Sequence, residues 1–462
     1  MSSPEKFFGT DGVRGRVNTG AITPEKALLL GQVIASKLNP YQTQGKSTGL
    51  HAVIGKDSRR SGDMLESAIA AGLNSVGMDV LLAGVVPTPA ISLLVRETGA
   101  NLGVVISASH NPPEDNGIKF FGPDGYKLSD EQEMEIGAFM LSGEEWPQSS
   151  LAETSMIGRI KKLSDAAQRY IAMAVASFTK GTENQPLKGL KISLDTANGA
   201  SSFTSPHILK DLGADLVTHF NVPSGDNINV NCGCTHPAII AENVRKDGSD
   251  VGISHDGDAD RILMCDEDGQ PVDGDELMAL IGCHLLQKGE LAANTLVATK
   301  MSNLGLDECI AQHGGKTERT EIGDRHVINR MRQIGANFGG EQSGHIICRD
   351  HNTTGDGILA ALAALQVMQE TGKPLSQLRQ VLHKFPSKLI NVLVSSKPDI
   401  SSLKAAALIT QTEQELGPTG RVLIRYSGTG PKMRILVEGK DEQIITTQAE
   451  KIAAAVTEEI GL

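Results

Sequence analysis

One ordering of segments occurs three times along this chain: strand, helix, strand, helix, strand, polar loop. The first copy predicts a strand over 51–57, a helix over 61–77 and a strand over 79–82. A helix opened by Pro87-Thr88-Pro89 and closed near Gly99 follows, then an apolar strand over 102–106. The second copy predicts strands over 190–195, 215–220 and 250–254. Its helices run to Gly213 and from His236-Pro237 to about residue 247. The third predicts a strand over 295–300 and a polar strand over 316–321. It ends in a helix capped by Asp324 and closed near Gly335, then a short strand over 336–338. Proline at a helix start and glycine at its end fix these helices, and short apolar runs between them read as buried parallel strands. Right-handed crossovers would send all three terminal loops out of similar sheets at the same end, where they can converge on one cleft.

The flanking segments differ. Thr23 caps a helix from Pro24 to about residue 38, and 39–49 is polar and loop-like. After residue 384, strands over 385–395, 421–426 and 433–438 and helices over 400–416 and 442–460 predict a small α+β domain. Composition narrows the partners. The 462-residue chain carries a formal net charge of -12, which opposes nucleic acid as a main partner. No apolar run approaches the ~20 residues of a membrane span, and the first residues lack the apolar core of a secretion signal. The six cysteines are scattered apart from Cys232 and Cys234, so buried reduced thiols are expected rather than zinc. A cytoplasmic protein that binds neither nucleic acid nor membrane is the expectation.

Each terminal loop carries chemistry. The strand over 102–106 delivers Ser107-Ala108-Ser109-His110-Asn111-Pro112, a hydroxyl and an imidazole at the carboxyl end of a buried strand. Ser109 can act as a nucleophile and His110 as a proton carrier, with ordinary turn chemistry as the alternative for the pair alone. The second loop, Asp256-Gly257-Asp258-Ala259-Asp260, sets three carboxylates at alternate positions, which share a side in an extended backbone. Hard oxygen ligands suit Mg²⁺. An EF-hand is opposed because its sixth position needs glycine and here holds Arg261. An acidic surface turn is the plainer alternative. The third loop offers Glu341 and Ser343 to sugar hydroxyls, with His345 as their partner or a structural histidine. In the last domain, Ser427-Gly428-Thr429 lies between Arg425 and Arg434, an anion nest with two forked cations or an ordinary hairpin turn. Gly9, Gly12 and Gly15 make the opening loop tight, with Arg14 as its cation. No phosphate loop of the nucleotide-binding type occurs: Asp57 follows Gly55-Lys56, and Pro40 stands where Gly45-Lys46-Ser47 would need glycine.

A serine, a divalent-metal site, a sugar loop and a separate phosphate grip are the parts of a sugar-phosphate mutase. The chain resembles the α-D-phosphohexomutases over essentially its full length. The motifs are FFGTDGVRG, ISASHNP with DNGIKFF, DGDADR with VDGDE, GDRHV, GGEQSGH, NTTGDG and RYSGTGPKMR. The resemblance implies three similar mixed α/β domains plus a smaller C-terminal α+β domain around a central cleft. Its domains would span 1–162, 163–264, 265–384 and 385–462, the last serving as a phosphate-binding lid. It implies that Ser109 carries a phosphoryl group and holds Mg²⁺ together with Asp256, Asp258 and Asp260. Arg14, His110, Lys119 and Arg261 would surround the transferring group. Gly323, Asp324, Arg325, Glu341, Ser343 and His345 would contact the sugar. Arg425, Ser427, Gly428, Thr429 and Arg434 would hold the phosphate that is not transferred. The substrate implied first is a hexosamine phosphate, glucosamine 6-phosphate exchanging with glucosamine 1-phosphate through glucosamine 1,6-bisphosphate, a supply route to cell-wall precursors. Glucose or mannose phosphates are the second reading, encouraged by Gly430 where amino-sugar enzymes usually have glutamate. Ala259 likewise stands where they usually have glycine. A catalytically silent sugar-phosphate binder is the third, and a homodimer is one assembly left open.

Overall fold

The computed structural model describes residues 6–9, 11–38, 49–179, 185–427 and 430–462. The chain forms two compact units. One comprises Met1–Met301 with Glu318–Gln380, the other Ser302–Thr317 with Val381–Leu462.

In the first unit the repeat is visible as sheet order. The first sheet runs Val13–Arg16, Asp115–Phe121, Leu102–Ile106, His51–Lys56, Asp79–Val85, Ile160–Lys162. The second runs Pro271–Val272, Ile262–Cys265, Val251–His255, Lys191–Asp195, Asp215–His219. The third runs Lys316–Thr320, Thr295–Thr299, Phe338–Gly340, Ile346–Cys348. Within each repeat the spatial order is third, first, second, and the third strand pairs in parallel with the first. Leu102–Ile106 and Val251–His255 are buried at every residue, as continuous apolar runs between helices should be.

Each sheet also carries a strand absent from the sequence-based expectation. Asp115–Phe121, Ile262–Cys265 and Ile346–Cys348 fold back antiparallel on the third strand of their repeat. Asn116-Gly117 reads as a turn, yet both residues pair in the ladder, opposite Gly15 and Arg14. The opening loop is likewise a short strand, Val13–Arg16. Helix starts and stops follow the local signals. Thr88–Thr98 begins on prolines and ends on Gly99, whose left-handed φ of 67° lets its N–H reach the Val95 carbonyl. Asp324 is not the helix cap that its sequence position indicates. The cap of Asp324–Ile334 is Gly323, and no side chain caps that end; the Asp324 carboxylate turns inward instead. Most of the polar stretch over 39–49 lies outside the described residues.

Packed under the first sheet, Ile54, Leu65, Ile69, Leu73, Val104, Ile106 and Phe120 form the centre of a large apolar core. Each such side chain contributes roughly 1.5–3 kcal/mol by leaving water. In the second unit, Ser387–Leu393, Lys432–Gly439 and Gly420–Tyr426 form a three-stranded antiparallel sheet. Ala405–Leu416 and Glu442–Ile460 complete a core around Met433, Ile435, Val437, Ile445 and Ile452. The helix expected over 400–416 is broken: Ile400–Ser402 is a single turn capped by Asp399, and the α-helix starts at Ala405. Four of the six cysteines, Cys232, Cys265, Cys283 and Cys309, are buried. Among the described residues no helix is long and apolar enough to cross a membrane.

Candidate active site

Ser109 sits just past the end of Leu102–Ile106, fully buried, with a left-handed φ of 53° that a residue with a Cβ rarely adopts. Its Oγ donates to Asp256 Oδ2 at 2.5 Å and lies 3.5 Å from His110 Nδ1. The first and second repeats therefore bring hydroxyl and acid together. Gly257 explains how closely: a Cβ there would sit 2.6 Å from the Ser109 carbonyl oxygen. Only glycine lets the acidic loop lie against the serine loop.

Asp256, Asp258 and Asp260 are all buried, and a ligand oxygen from each lies within 4.8 Å of the others. Asp258 Oδ2 accepts from Thr88 Oγ1 at 2.6 Å and from Lys119 Nζ at 2.9 Å; Asp260 Oδ2 accepts from Lys119 at 3.2 Å. Oδ1 of Asp258 and of Asp260 are buried without a hydrogen-bond partner among the described residues. Unpartnered inward carboxylate oxygens are costly unless a cation takes them, so this donor set fits a hard divalent ion. Burial, then Asp260 and Asp258, pushes the Asp256 carboxyl well above the ordinary carboxylate range. Burial works the same way on Asp258, but Lys119, Thr88 and Arg14 together outweigh it and hold that carboxyl below its ordinary value.

Lys119 comes from the unexpected strand Asp115–Phe121. Its ammonium touches Asp11 at 2.9 Å as well as the two acids. Burial alone would depress it; Asp11, Asp258 and Asp260 together raise it well above the ordinary amine value. His110 behaves oppositely. Burial, then Arg261 and Arg14, lowers it to about 4, so the imidazole is neutral at pH 7. Its Nδ1 accepts from Arg261 Nη1 at 3.1 Å. Arg14 pairs with Asp11.

From the third repeat, His345 is buried 3.5 Å from Asp324 and 3.9 Å from Asp260, with neither ring nitrogen hydrogen-bonded among the described residues. Glu341 Oε1 accepts the Gly323 N–H at 3.1 Å, while Ser343 is exposed. Arg325 is engaged away from the acids, with Asp130 and, at 2.7 Å, with Glu133. The NTTGDG stretch is a fastening: Asn352 donates to the Pro89 carbonyl at 3.0 Å, Thr353 to Gly125 at 2.6 Å, and Asp356 caps Gly357–Thr371. Asp11 lies within FFGTDGVRG, though the motif alone assigns it no role, and two further charged groups, Lys127 and Arg59, have no sequence signal beyond their type. Lys127 bridges Asp11, at 2.5 Å, and Asp324. Only their neighbours in the folded chain distinguish them from surface charges.

In the C-terminal unit, Arg425 and Arg434 stand directly opposite on paired strands. Facing like charges repel, which an anion relieves. Burial, then Arg434, lowers the Arg425 guanidinium. Ser427 follows, its N–H donating to the Lys432 carbonyl at 2.7 Å; Gly428 and Thr429 lie outside the described residues.

Four domain profiles described as phosphoglucomutase/phosphomannomutase match in order. Alpha/beta/alpha domain I matches residues 5–146, domain II 168–269, domain III 273–385 and the C-terminal domain 389–455. A phosphoglucosamine mutase of Carboxydothermus hydrogenoformans is 48% identical over 98% of this chain and 99% of its own length. One from Syntrophotalea carbinolica is 46% identical over 99% and 98%. The fold is similar to the crystal structure of a phosphoglucomutase/phosphomannomutase family protein from Burkholderia thailandensis, with a TM-score of 0.79 at 21% identity, covering 97% of each chain.

Proposed function

The chain belongs to the phosphoglucomutase/phosphomannomutase family, and from that premise we propose that it interconverts glucosamine 6-phosphate and glucosamine 1-phosphate through a phosphoserine at residue 109. The observation that carries the reading is the Ser109 hydroxyl held 2.5 Å from Asp256 at the rim of three buried acids, with Lys119 between two of them. The sugar assignment rests on full-length identity of 46–48% to proteins named phosphoglucosamine mutase. Domain limits at residues 162, 264 and 384 are part of the same proposal.

Asp256, Asp258, Asp260 and the phosphorylated Ser109 are the ligands assigned to Mg²⁺, which would supply positive charge against the phosphoryl oxygens. The rest of the chemistry falls to the chain. The Ser109 Oγ–P bond breaks as a sugar hydroxyl takes the phosphoryl group, giving glucosamine 1,6-bisphosphate. The hydroxyl proton leaves that oxygen and ends on Ser109. The bisphosphate turns end for end, and the reverse transfer reloads Ser109 and releases the isomer. Phosphoryl transfer is governed by positioning and charge stabilisation rather than by covalent help. Lys119, kept cationic by three carboxylates, and Arg14 and Arg261 suit the charge role. Neutral His110, its Nδ1 3.5 Å from Ser109 Oγ, suits proton transfer when that nitrogen exchanges its Arg261 hydrogen bond for the hydroxyl. Glu341, Ser343 and His345, with Gly323, Asp324 and Arg325, are assigned to the sugar side. Arg425, Ser427, Gly428, Thr429 and Arg434 are assigned to the distal phosphate.

Gly430 favours a second reading, a mutase for glucose or mannose phosphates. A coupled assay offering the 6-phosphates of glucosamine, glucose and mannose separates them. The highest kcat/KM is expected for glucosamine 6-phosphate; a clear preference for mannose 6-phosphate overturns the amino-sugar assignment.

A further inference from the structure

We propose that Arg59 and Asn229 are the positioning residues of the phosphoryl-carrying serine: together they grip the backbone of the Ser109 loop and aim its Oγ at the acids. This rests on the mutase reading.

Arg59 is buried beneath the loop, and all five of its guanidinium N–H groups are used. Nε donates to Asp57 Oδ2 at 2.9 Å. Nη2 donates to the Ser109 carbonyl at 3.0 Å and the Asn111 carbonyl at 2.8 Å. Nη1 donates to the Asp115 carbonyl at 2.9 Å and to Pro112. Asn229, from the second repeat, donates from Nδ2 to the same two carbonyls, Ser109 at 2.8 Å and Asn111 at 3.0 Å. The other end of the serine residue is held as well. Its N–H donates to Ser107 Oγ at 2.9 Å, and that hydroxyl donates to Asp57 Oδ2 at 2.6 Å. Asp57 also accepts the Arg59 N–H at 3.0 Å, which closes a ring: Asp57, Ser107, Ser109, Arg59.

A left-handed φ at a residue with a Cβ persists only where its surroundings over-determine it. Here both peptide groups of Ser109 are fixed from two repeats, so the strained residue cannot relax away from Asp256. Neither Arg59 nor Asn229 hydrogen-bonds to the three acids, so their effect passes through the serine backbone. Lysine at 59 keeps the charge but cannot fork to two carbonyls while holding Asp57. Loss of the grip should therefore slow phosphoryl transfer, which needs sub-ångström aim, and leave sugar-phosphate binding alone.

The test uses the full chain, glucose 1,6-bisphosphate as phosphoryl donor, and intact-mass measurement of Ser109 phosphorylation over time, alongside kcat and KM for glucosamine 6-phosphate. In the loading step the Ser109 Oγ–P bond forms, the sugar O–P bond breaks, and the serine proton ends on the leaving sugar oxygen. Arg59→Lys is expected to load about tenfold to a hundredfold more slowly than wild type and to lose kcat by a similar factor, with KM within about threefold. Asn229→Ala should show the same pattern more weakly. Added guanidinium should restore part of the loading rate of Arg59→Gly. Equal loading by wild type and Arg59→Lys overturns the inference alone. So does a fall in rate that only tracks the folded fraction measured by circular dichroism. A wild-type chain that takes up no phosphate overturns this inference together with the mutase reading.

Discussion

Removing Lys127 tests the electrostatic account of the site most directly. Its ammonium is nearly buried between Asp11 and Asp324, and the Lys127→Met variant deletes the charge at similar volume. The two acids suffer unequally. Asp11 keeps Lys119 and Arg14, whereas the next group opposing Asp324 is His345, 3.5 Å away. Breaking a buried pair by removing one partner costs about 3–5 kcal/mol, because the other charge is left buried and uncompensated. Asp324 carries most of that loss. In the wild type, burial would raise its pKa, but Lys127 and then His345 outweigh burial and hold it below the ordinary value. A depressed carboxyl adds stability above its unfolded pKa and loses it as pH falls through the folded one. In the variant the same buried carboxyl, without its lysine, rises above its ordinary value and takes up a proton as pH falls toward it. The stability deficit should therefore be largest near pH 7.5 and shrink by pH 5. Urea midpoints by circular dichroism at both values measure it. A variant within about 1 kcal/mol of wild type at pH 7.5, or a deficit that grows on acidification, refutes the reasoning.

Two further outcomes follow from the acidic loop. Ala259 has a left-handed φ of 56°, so Ala259→Gly should raise stability by about 0.5–1 kcal/mol, the relief of Cβ strain less the entropy glycine adds to the unfolded chain; thermal denaturation reads it. Mg²⁺ at a hundredfold over its Kd should protect the wild type against thermal unfolding by about 2.7 kcal/mol and protect Asp258→Asn far less, while equal protection would remove Asp258 from the ligand set.

Local signals carried much of the fold. Pro87, Pro89 and Gly99 bound their helix closely, and Pro237–Asp247 starts where His236-Pro237 indicates. Ser109 and the three aspartates announce themselves because a polar cluster after a buried apolar strand is unusual. Other features depend on tertiary context. Asp115–Phe121 starts with Asp115-Asn116-Gly117, whose turn preference is overridden by pairing with Arg16, Gly15 and Arg14. Asp324 resembles a helix cap in sequence, but Lys127 captures its carboxylate. Arg59 follows a strand end like any surface arginine. Its burial depends on four carbonyls of a loop some fifty residues later, which no local pattern encodes.

The third strand of every repeat is an interior strand, hydrogen-bonded on both sides. Ser109, the aspartate trio and Glu341 are thus anchored to strands held from both sides, the stiffest line of each sheet. Relatives sharing barely a fifth of their residues can keep the same architecture on these terms. The mounts for the reacting groups are the strands that cannot shift without breaking hydrogen bonds along both of their edges.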